Sequence, residues 1–405
     1  MTNRLVIVGG GQAAFACAAR LRALGDQRPI SMICGEQSLP YQRPPLSKKY
    51  LTGEMTLDRL LFRPEEWYND NAVDIRLGIS VRAIDRAAKH VTLSDNTILS
   101  YDKLALATGS SPRQLPQSLS NGLDGIYTIR NFADADRLRP AMKPGRKLLV
   151  IGGGYIGLEA AAVARQHEMD VVLVEAAERI LARVAAPSTA DTFRQIHTAR
   201  GVRILEGVGV SQLEGRDGHI AGANLSNGEN VAADMVIAGI GASAEDQIAR
   251  DAGIECANGI LVDGAGRTSD TDIYAMGDCA LQIWKGQRVR LESVQNAVDQ
   301  ADIVAENLAG QASEYHPKPW FWSDQYDVKL QIAGFNLGYD DTVMRQGQKE
   351  GASSLWYFAG DDLIAVDAVN DGKAYVVGKK LLDSGKVTGL KSAISDPSFD
   401  LKSLI

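Results

Sequence analysis

Residues 5–19 read LVIVGGGQAAFACAA, and residues 148–162 read LLVIGGGYIGLEAAA. Each copy opens on four apolar residues, passes three consecutive glycines and enters an Ala-rich stretch suited to a helix. Leu5–Val8 and Leu148–Ile151 have the β-branched character of short buried parallel strands. The glycine patterns are Gly9-x-Gly11-x-x-Ala14 and Gly152-x-Gly154-x-x-Gly157. In such a strand–turn–helix the first glycine permits the tight turn and the second lets a pyrophosphate approach the backbone. The third position, Gly or Ala, lets helix and strand pack closely. The helix N-terminus then offers free N–H groups and a favourable dipole to the phosphates. The copies are offset by 143 residues, about one domain length.

An acid at the end of the next strand completes each pattern. Ile30–Cys34 leads to Glu36, 27 residues after Gly9, and Val171–Val174 leads to Glu175, 23 residues after Gly152. Such an acid accepts from ribose hydroxyls and repels a 2′-phosphate. Ala176 and Ala177 add no positive charge beside Glu175, although Arg179 and Arg183 follow. This predicts NADH over NADPH at the second site. Two dinucleotide sites in one chain imply two dinucleotides, and a flavin with a nicotinamide makes chemical sense because one hands a hydride to the other.

Composition limits the other classes. The chain has 405 residues, 45% hydrophobic and 23% charged, with 40 glycines, which suits a globular enzyme of two to four domains; the paired strand–turn–helix copies make its fold class α/β. Its net charge of −7 gives no basic footprint for nucleic acid. No run reaches the roughly 18 apolar residues of a membrane span. Cys17, Cys34, Cys256 and Cys279 form no CxxC, and five scattered His show no metal-ligand spacing, so no metal is expected. Met1-Thr2-Asn3-Arg4 runs directly into an apolar strand, which is read as no signal peptide and a cytoplasmic location with reduced thiols.

Three later segments carry the flavin reading. Leu104–Gly109 is an apolar strand ending in Thr108-Gly109. Val236–Gly241 is a second of this kind, and Thr271–Asp278 ends in Gly-Asp. With the two fingerprints, these segments resemble the two-dinucleotide flavoproteins that include glutathione reductase. The resemblance implies two Rossmann-like domains plus a small C-terminal α+β domain, with FAD at the first turn. In that superfamily the Gly-Asp aspartate binds the ribityl chain, and Asp278 matches it; alone, it also reads as a turn or helix-cap aspartate.

Disulfide-reducing members carry a redox thiol in a CxxxxC, a CxxC or a lone Cys near residue 42. Here that segment reads Pro40-Tyr41-Gln42-Arg43-Pro44-Pro45-Leu46-Ser47-Lys48. Electrons are therefore expected to leave the flavin directly. The Arg43–Lys48 string, Glu292–Ala297 and Pro319–Gln325 resemble the NADH-dependent ferredoxin reductases of bacterial oxygenase systems, in order and over essentially the whole chain.

That resemblance assigns roles. It places Lys48 beside the flavin and Glu159 near the nicotinamide carboxamide, as a pair spanning the two cofactor domains; alone, they also read as a surface Lys capping a loop and a helix Glu facing solvent. Tyr155 shields the flavin face or simply packs on its helix. Trp322 lies at the exposed flavin edge or in an ordinary core. Arg43 touches the flavin or its phosphates, or is a solvated loop residue. Gln295 opens a helix over 295–309 whose N-terminus faces the reduced ring.

The implied domains are 1–112 with 243–319 for FAD, 113–242 for NAD, and 320–405 as the α+β unit. Near this last unit the sequence offers only His316, before the boundary, where disulfide reductases supply a catalytic His. The implied partner is a [2Fe-2S] ferredoxin serving a haem-thiolate monooxygenase or Rieske dioxygenase, with rubredoxin as a substitute. Because the chain is itself acidic, docking needs a local basic patch, for which Arg59, Arg63, Lys329, Lys379 and Lys380 are candidates. An NADH oxidase or peroxidase is disfavoured by Gln42. A redox-signalling flavoprotein is disfavoured because its usual targeting segments and insertions are missing.

Overall fold

The structure is a computed structural model describing residues 3–405. The N-terminal reading therefore rests in part on Met1 and Thr2, which lie outside the described residues. The chain divides into two compact units. The first is Met1–Arg43, Thr56–Ser111 and Ala242–Pro317; the second is Pro44–Met55, Pro112–Gly241 and Lys318–Ile405.

In the first unit Leu5–Val8 is the central strand of a five-stranded parallel sheet. The order is Ile273–Ala275, Lys103–Leu106, Leu5–Val8, Ile30–Cys34, Val73–Leu77. Side chains alternate across a strand, and the two faces feed different cores. Leu5 and Ile7 join Ala14, Cys17, Ala18, Leu21, Ala301, Val304 and Ala305 from helices Gln12–Ala23 and Val294–Leu308. Val6 and Val8 join Ile84, Val91, Leu93 and Leu99 from an antiparallel meander. With both faces covered, the strand is apolar at all four positions, as its sequence predicts. The small residues along both helices let them pack closely, and Arg20 closes an ion pair onto Glu306.

The second unit repeats the plan. Its parallel sheet runs Val202–Glu206, Asp170–Glu175, Lys147–Ile151, Met235–Ala238, Ile126–Tyr127. Helix Tyr155–Gln166 follows the glycine turn. The same unit holds an antiparallel sheet ordered Trp320–Gln325, Val328–Gly334, Asp362–Val369, Ser353–Ala359, Asp341–Gln346. Helix Gly372–Ser384 covers it, burying Ala374, Val377 and Leu381 with Trp356, Phe358 and Val366.

Candidate functional site

The first turn is built for close backbone approach. Gly9 has φ +132°, and a Cβ there would meet the Ala107 carbonyl oxygen at 2.2 Å. Only glycine fits such a position. A Cβ on Gly11, by contrast, would meet nothing within 4 Å. That open face at the helix N-terminus is the room a pyrophosphate needs. Ala14, at the third fingerprint position, is fully buried under the turn.

Around this turn each expected FAD ligand with a polar side chain has a protein partner, and two of them, Glu36 and Arg43, pair with each other. Glu36 accepts from the Tyr41 hydroxyl and from Arg43 Nη2, each at 2.5 Å. Burial opposes the charge on Arg43, but Glu36, Tyr41 and Asp278 outweigh it and raise the guanidinium above its ordinary value. Arg43 is thus an engaged residue rather than a solvated loop arginine. Asp278 accepts from Ser110 Oγ at 2.9 Å, and Thr108 Oγ1 donates to the Glu245 carbonyl at 2.5 Å. Gly109 takes φ +76°, which ends the strand in a turn. The Gln295 side chain donates to Asp299 along its own helix, whose N-cap is Ser293.

The thiols are closed. Cys34 lies beneath the turn with Sγ 3.8 Å from the Gly9 carbonyl, and burial pushes it up to about 12. Burial likewise raises Cys17, Cys279 and Cys256, and all four are free. A thiolate is the reactive form, and none of these sites favours one.

The second turn repeats the first with tighter packing. Gly152 has φ +106°, and a Cβ would lie 2.4 Å from the Gly239 carbonyl oxygen; one on Gly157 would lie 2.0 Å from that of Gly152. Gly154 again faces open space. Glu175 is oriented by the turn itself, accepting from Gly153 N–H at 2.6 Å and Ala177 N–H at 2.7 Å. Arg179 does not fold back toward Glu175. Its guanidinium donates to the carbonyls of Ile180, Ala182 and Ala185.

A third constellation lies wholly within the second unit. Lys48 Nζ donates to Glu159 Oε2 at 2.6 Å, and Ser47 Oγ donates to the same oxygen at 2.7 Å. Ser323 Oγ donates to Glu159 Oε1 at 2.7 Å. Glu159 is only 3% exposed, so this buried carboxylate is paired and hydrogen-bonded as its burial demands. The sequence expectation sets Lys48 and Glu159 in two cofactor domains, whereas by contacts both fall in the second unit. Residues 44–55 belong to the second unit, because Lys48 is drawn to Glu159 and Tyr50 to Asp136. Tyr155 packs its ring 4.8 Å from Phe321, with its hydroxyl buried and without a partner among the described residues. Trp322 is partly exposed and packs 5.5 Å from Trp320, two residues back on the same strand face.

Ser47, Ser323, Gln325, Tyr326 and His197 are the residues that sequence reasoning passed over. The expectation that only His316 approaches the C-terminal stretch is also corrected. His197 is fully buried and bonds Gln325 Oε1 at 2.7 Å. The one available signal was alternation in Trp320–Gln325, which puts Ser323 and Gln325 on one face. The docking candidates do not behave as one group. Lys329 pairs with Asp324 and Lys379 with Asp383; Arg63 donates to the Phe62 carbonyl and lies over Phe15; Arg59 and Lys380 are exposed. Among the described residues no cluster of His, Cys, Asp or Glu could hold a metal ion, and no helix is long and apolar enough to cross a membrane.

A family model described as pyridine nucleotide-disulphide oxidoreductase matches residues 3–301, and one described as reductase C-terminal matches residues 320–405. The chain belongs to the pyridine nucleotide-disulphide oxidoreductase family. It is an oxidoreductase, and its family implies FAD and NAD(H). Within the family it is 40% identical to rhodocoxin reductase of Rhodococcus erythropolis over 98% of this chain and 93% of the relative. It is 39% identical to a ferredoxin–NAD(P)(+) reductase of a Sphingomonas species over 99% of this chain and 97% of the relative. The crystal structure of a covalent putidaredoxin reductase–putidaredoxin complex matches at TM-score 0.95 and 36% identity, over 99% of this chain and 98% of the other. The two open glycine turns, each walled by backbone that no Cβ could share, fit the family's dinucleotides.

Proposed function

We propose that the chain is an FAD-dependent NADH:ferredoxin reductase that serves an oxygenase, working in the cytoplasm. The carrying observation is the segment Pro40–Lys48. It holds Tyr41, Arg43, Ser47 and Lys48 in defined polar contacts and no thiol. With Cys34 and Cys279 closed by burial, no dithiol is available to take electrons. The ferredoxin and rhodocoxin reductases among its relatives fit the same outward route.

FAD, when bound, supplies the step from two-electron delivery by NADH to one-electron release. We assign it to Gly9, Gly11, Ala14, Glu36, Arg43, Lys48, Thr108, Gly109, Asp278, Gln295 and Trp322, and NAD to Gly152, Gly154, Gly157, Glu159 and Glu175. The N–H groups at the start of Gln12–Ala23 and Tyr155–Gln166 bind phosphate oxygens. Glu175, fixed by two backbone donors, accepts from the adenosine ribose and repels a 2′-phosphate. Lys48, Glu159, Tyr155 and Trp322 serve the redox end, where Lys48 supplies fixed positive charge and Glu159 holds it in place. The proposed domains are 1–112 with 243–319, 113–242 and 320–405, with residues 44–55 grouping by their contacts with the second unit. Arg59, Arg63, Lys329, Lys379 and Lys380 are the proposed docking cations.

The test is anaerobic reduction by NADH, followed by stopped-flow oxidation with purified [2Fe-2S] ferredoxins, rubredoxin or oxygen. Fast ferredoxin turnover with slow oxygen consumption is expected. Faster reoxidation by oxygen or peroxide than by every ferredoxin overturns the reading.

A further inference from the structure

The Glu159 carboxylate ends a longer chain of buried polar groups. Ser323, Gln325 and His197 are each fully buried, and all lie in the second unit with Glu159 and Lys48. Gln325 Nε2 is 3.1 Å from Ser323 Oγ, His197 Nε2 is 2.7 Å from Gln325 Oε1, and Tyr326 Oη is 3.2 Å from His197 Nδ1. Four elements contribute: the turn Pro44–Ser47, helix Tyr155–Gln166, strand Trp320–Gln325 and helix Pro187–Ala199.

The direction of every proton follows from one end. An ionised carboxylate only accepts, so Ser323 spends its single O–H on Glu159. Ser323 Oγ must then accept, and Gln325 presents its NH2 group to it. That leaves the amide oxygen facing His197, which must carry its proton on Nε2. The bare Nδ1 accepts from the Tyr326 hydroxyl. Burial depresses His197 to about 4, so the ring stays neutral and can hold this tautomer at neutral pH. Donors therefore align over five residues, all pointing toward Glu159, an arrangement in which bonds polarise one another.

We propose that His197 and Gln325 are positioning residues for the redox site. Through Ser323 they fix the Glu159 carboxylate, and so set where Lys48 holds its charge. This rests on the reading that Lys48 and Glu159 act at the redox end. Gln325 donates to the Ser323 oxygen and so anchors it in line with Glu159. Without that anchor the serine still donates to the carboxylate, but its oxygen is no longer held in one place.

The test measures the limiting rate of flavin reduction by NADH in stopped flow, with Glu159→Gln as the reference. Ser323→Ala and Gln325→Met should each lower that rate about tenfold, as expected for one hydrogen bond to a charged group. The apparent Kd for NADH should change less than about twofold, since positioning acts on the chemical step. Gln325→Met placed on Ser323→Ala should add nothing further, because the same contact is already lost. If Gln325→Met does not fold, Gln325→Glu replaces it. Relative to wild type at each pH, that variant should keep its rate when the new carboxyl is protonated, with an O–H to give Ser323, and lose it as the carboxyl ionises. A second readout needs no turnover: 15N NMR of His197 should show the neutral Nε2–H tautomer. An Nδ1–H tautomer, multiplicative losses in the double variant, or an unchanged rate in Ser323→Ala while Glu159→Gln is slow overturns the proposal alone. An unchanged rate in Glu159→Gln overturns the underlying reading, and the proposal falls with it.

Discussion

The two dinucleotide helices start from the same turn and differ at one matching place. Ala16 in the first corresponds, 143 residues on, to Glu159 in the second. The first helix is backed by Ala297, Ala301, Val304 and Ala305, an apolar seam. The second carries a buried acid with Lys48, Ser47 and Ser323 gathered on it. One copy of the fold is therefore a plain cofactor cradle. The other has the same cradle with a polar chain grafted to its helix. The shared part lies in the backbone of the turn, and the divergent part in side chains that the shared pattern leaves unconstrained.

The strongest way to break this pairing is at the first glycines. Gly9→Ala and Gly152→Ala each force a Cβ against a carbonyl oxygen at positive φ, a cost of about 3–5 kcal/mol from strain and clash together. On the proposed assignment Gly9→Ala should purify without FAD. Gly152→Ala should keep the yellow flavin and weaken NADH binding by at least about a hundredfold. Absorbance at purification and NADH titration check both. Loss of both cofactors from both variants would show that the turns are not separate sites.

A smaller effect tests the polar interior of the second unit. His197 is depressed from 6.5 to about 4 by burial, so the folded chain binds fewer protons there than the unfolded chain. Its contribution to stability is present above about pH 6.5 and is lost as pH falls toward 4. Asp367 is raised from 3.8 to about 6, again mainly by burial, with Thr189 and Tyr357 donating to it. The folded chain binds more protons at this site, so its contribution is present below about pH 4 and lost as pH rises through 6. Each spans a little over two units, about 3 kcal/mol, and the two slopes oppose. Urea unfolding across pH should separate them. Relative to wild type, Asp367→Asn gains stability as pH rises from 4 to 6, and His197→Phe gains as pH falls over nearly the same window. A difference from wild type that does not vary with pH in either variant would contradict the assignment.

Both turns are legible in the sequence because glycine at positive φ and glycine against a carbonyl have no substitute. Each leaves a mark at a fixed offset from an apolar strand. The parallel strands are legible for a related reason, since burial on both faces demands an unbroken apolar run, as at Leu5–Val8. The Glu159 chain is not legible. His197 and Gln325 lie 128 residues apart, no period joins them, and either alone reads as an ordinary polar residue. The grouping of residues 44–55 with the second unit is equally hidden, because it follows from where Lys48 and Tyr50 find their carboxylate partners. Sequence pattern shows what the backbone requires, whereas long-range pairing of polar side chains needs the fold.

The mildest test returns to the two terminal acids. Glu36 pairs with Arg43 and accepts from Tyr41, while Glu175 accepts from backbone N–H groups and pairs with no cation among the described residues, which on the proposed assignment leaves it to face a ribose directly. Glu175→Ala should lower the NADH-over-NADPH ratio of kcat/KM by about tenfold, roughly 1.4 kcal/mol, through lost ribose contact and lost repulsion. It should not reverse the preference, because Arg179 is spent on the carbonyls of Ile180, Ala182 and Ala185 and offers no cation to a 2′-phosphate. Glu36→Ala should leave nucleotide choice untouched and weaken FAD retention by less than tenfold, since Arg43 is freed as the acid is lost. An unchanged NADH preference in Glu175→Ala would remove its assigned role, and a full switch to NADPH would mean that Arg179 leaves its carbonyls, or that Arg183 turns to the site, once the acid is gone.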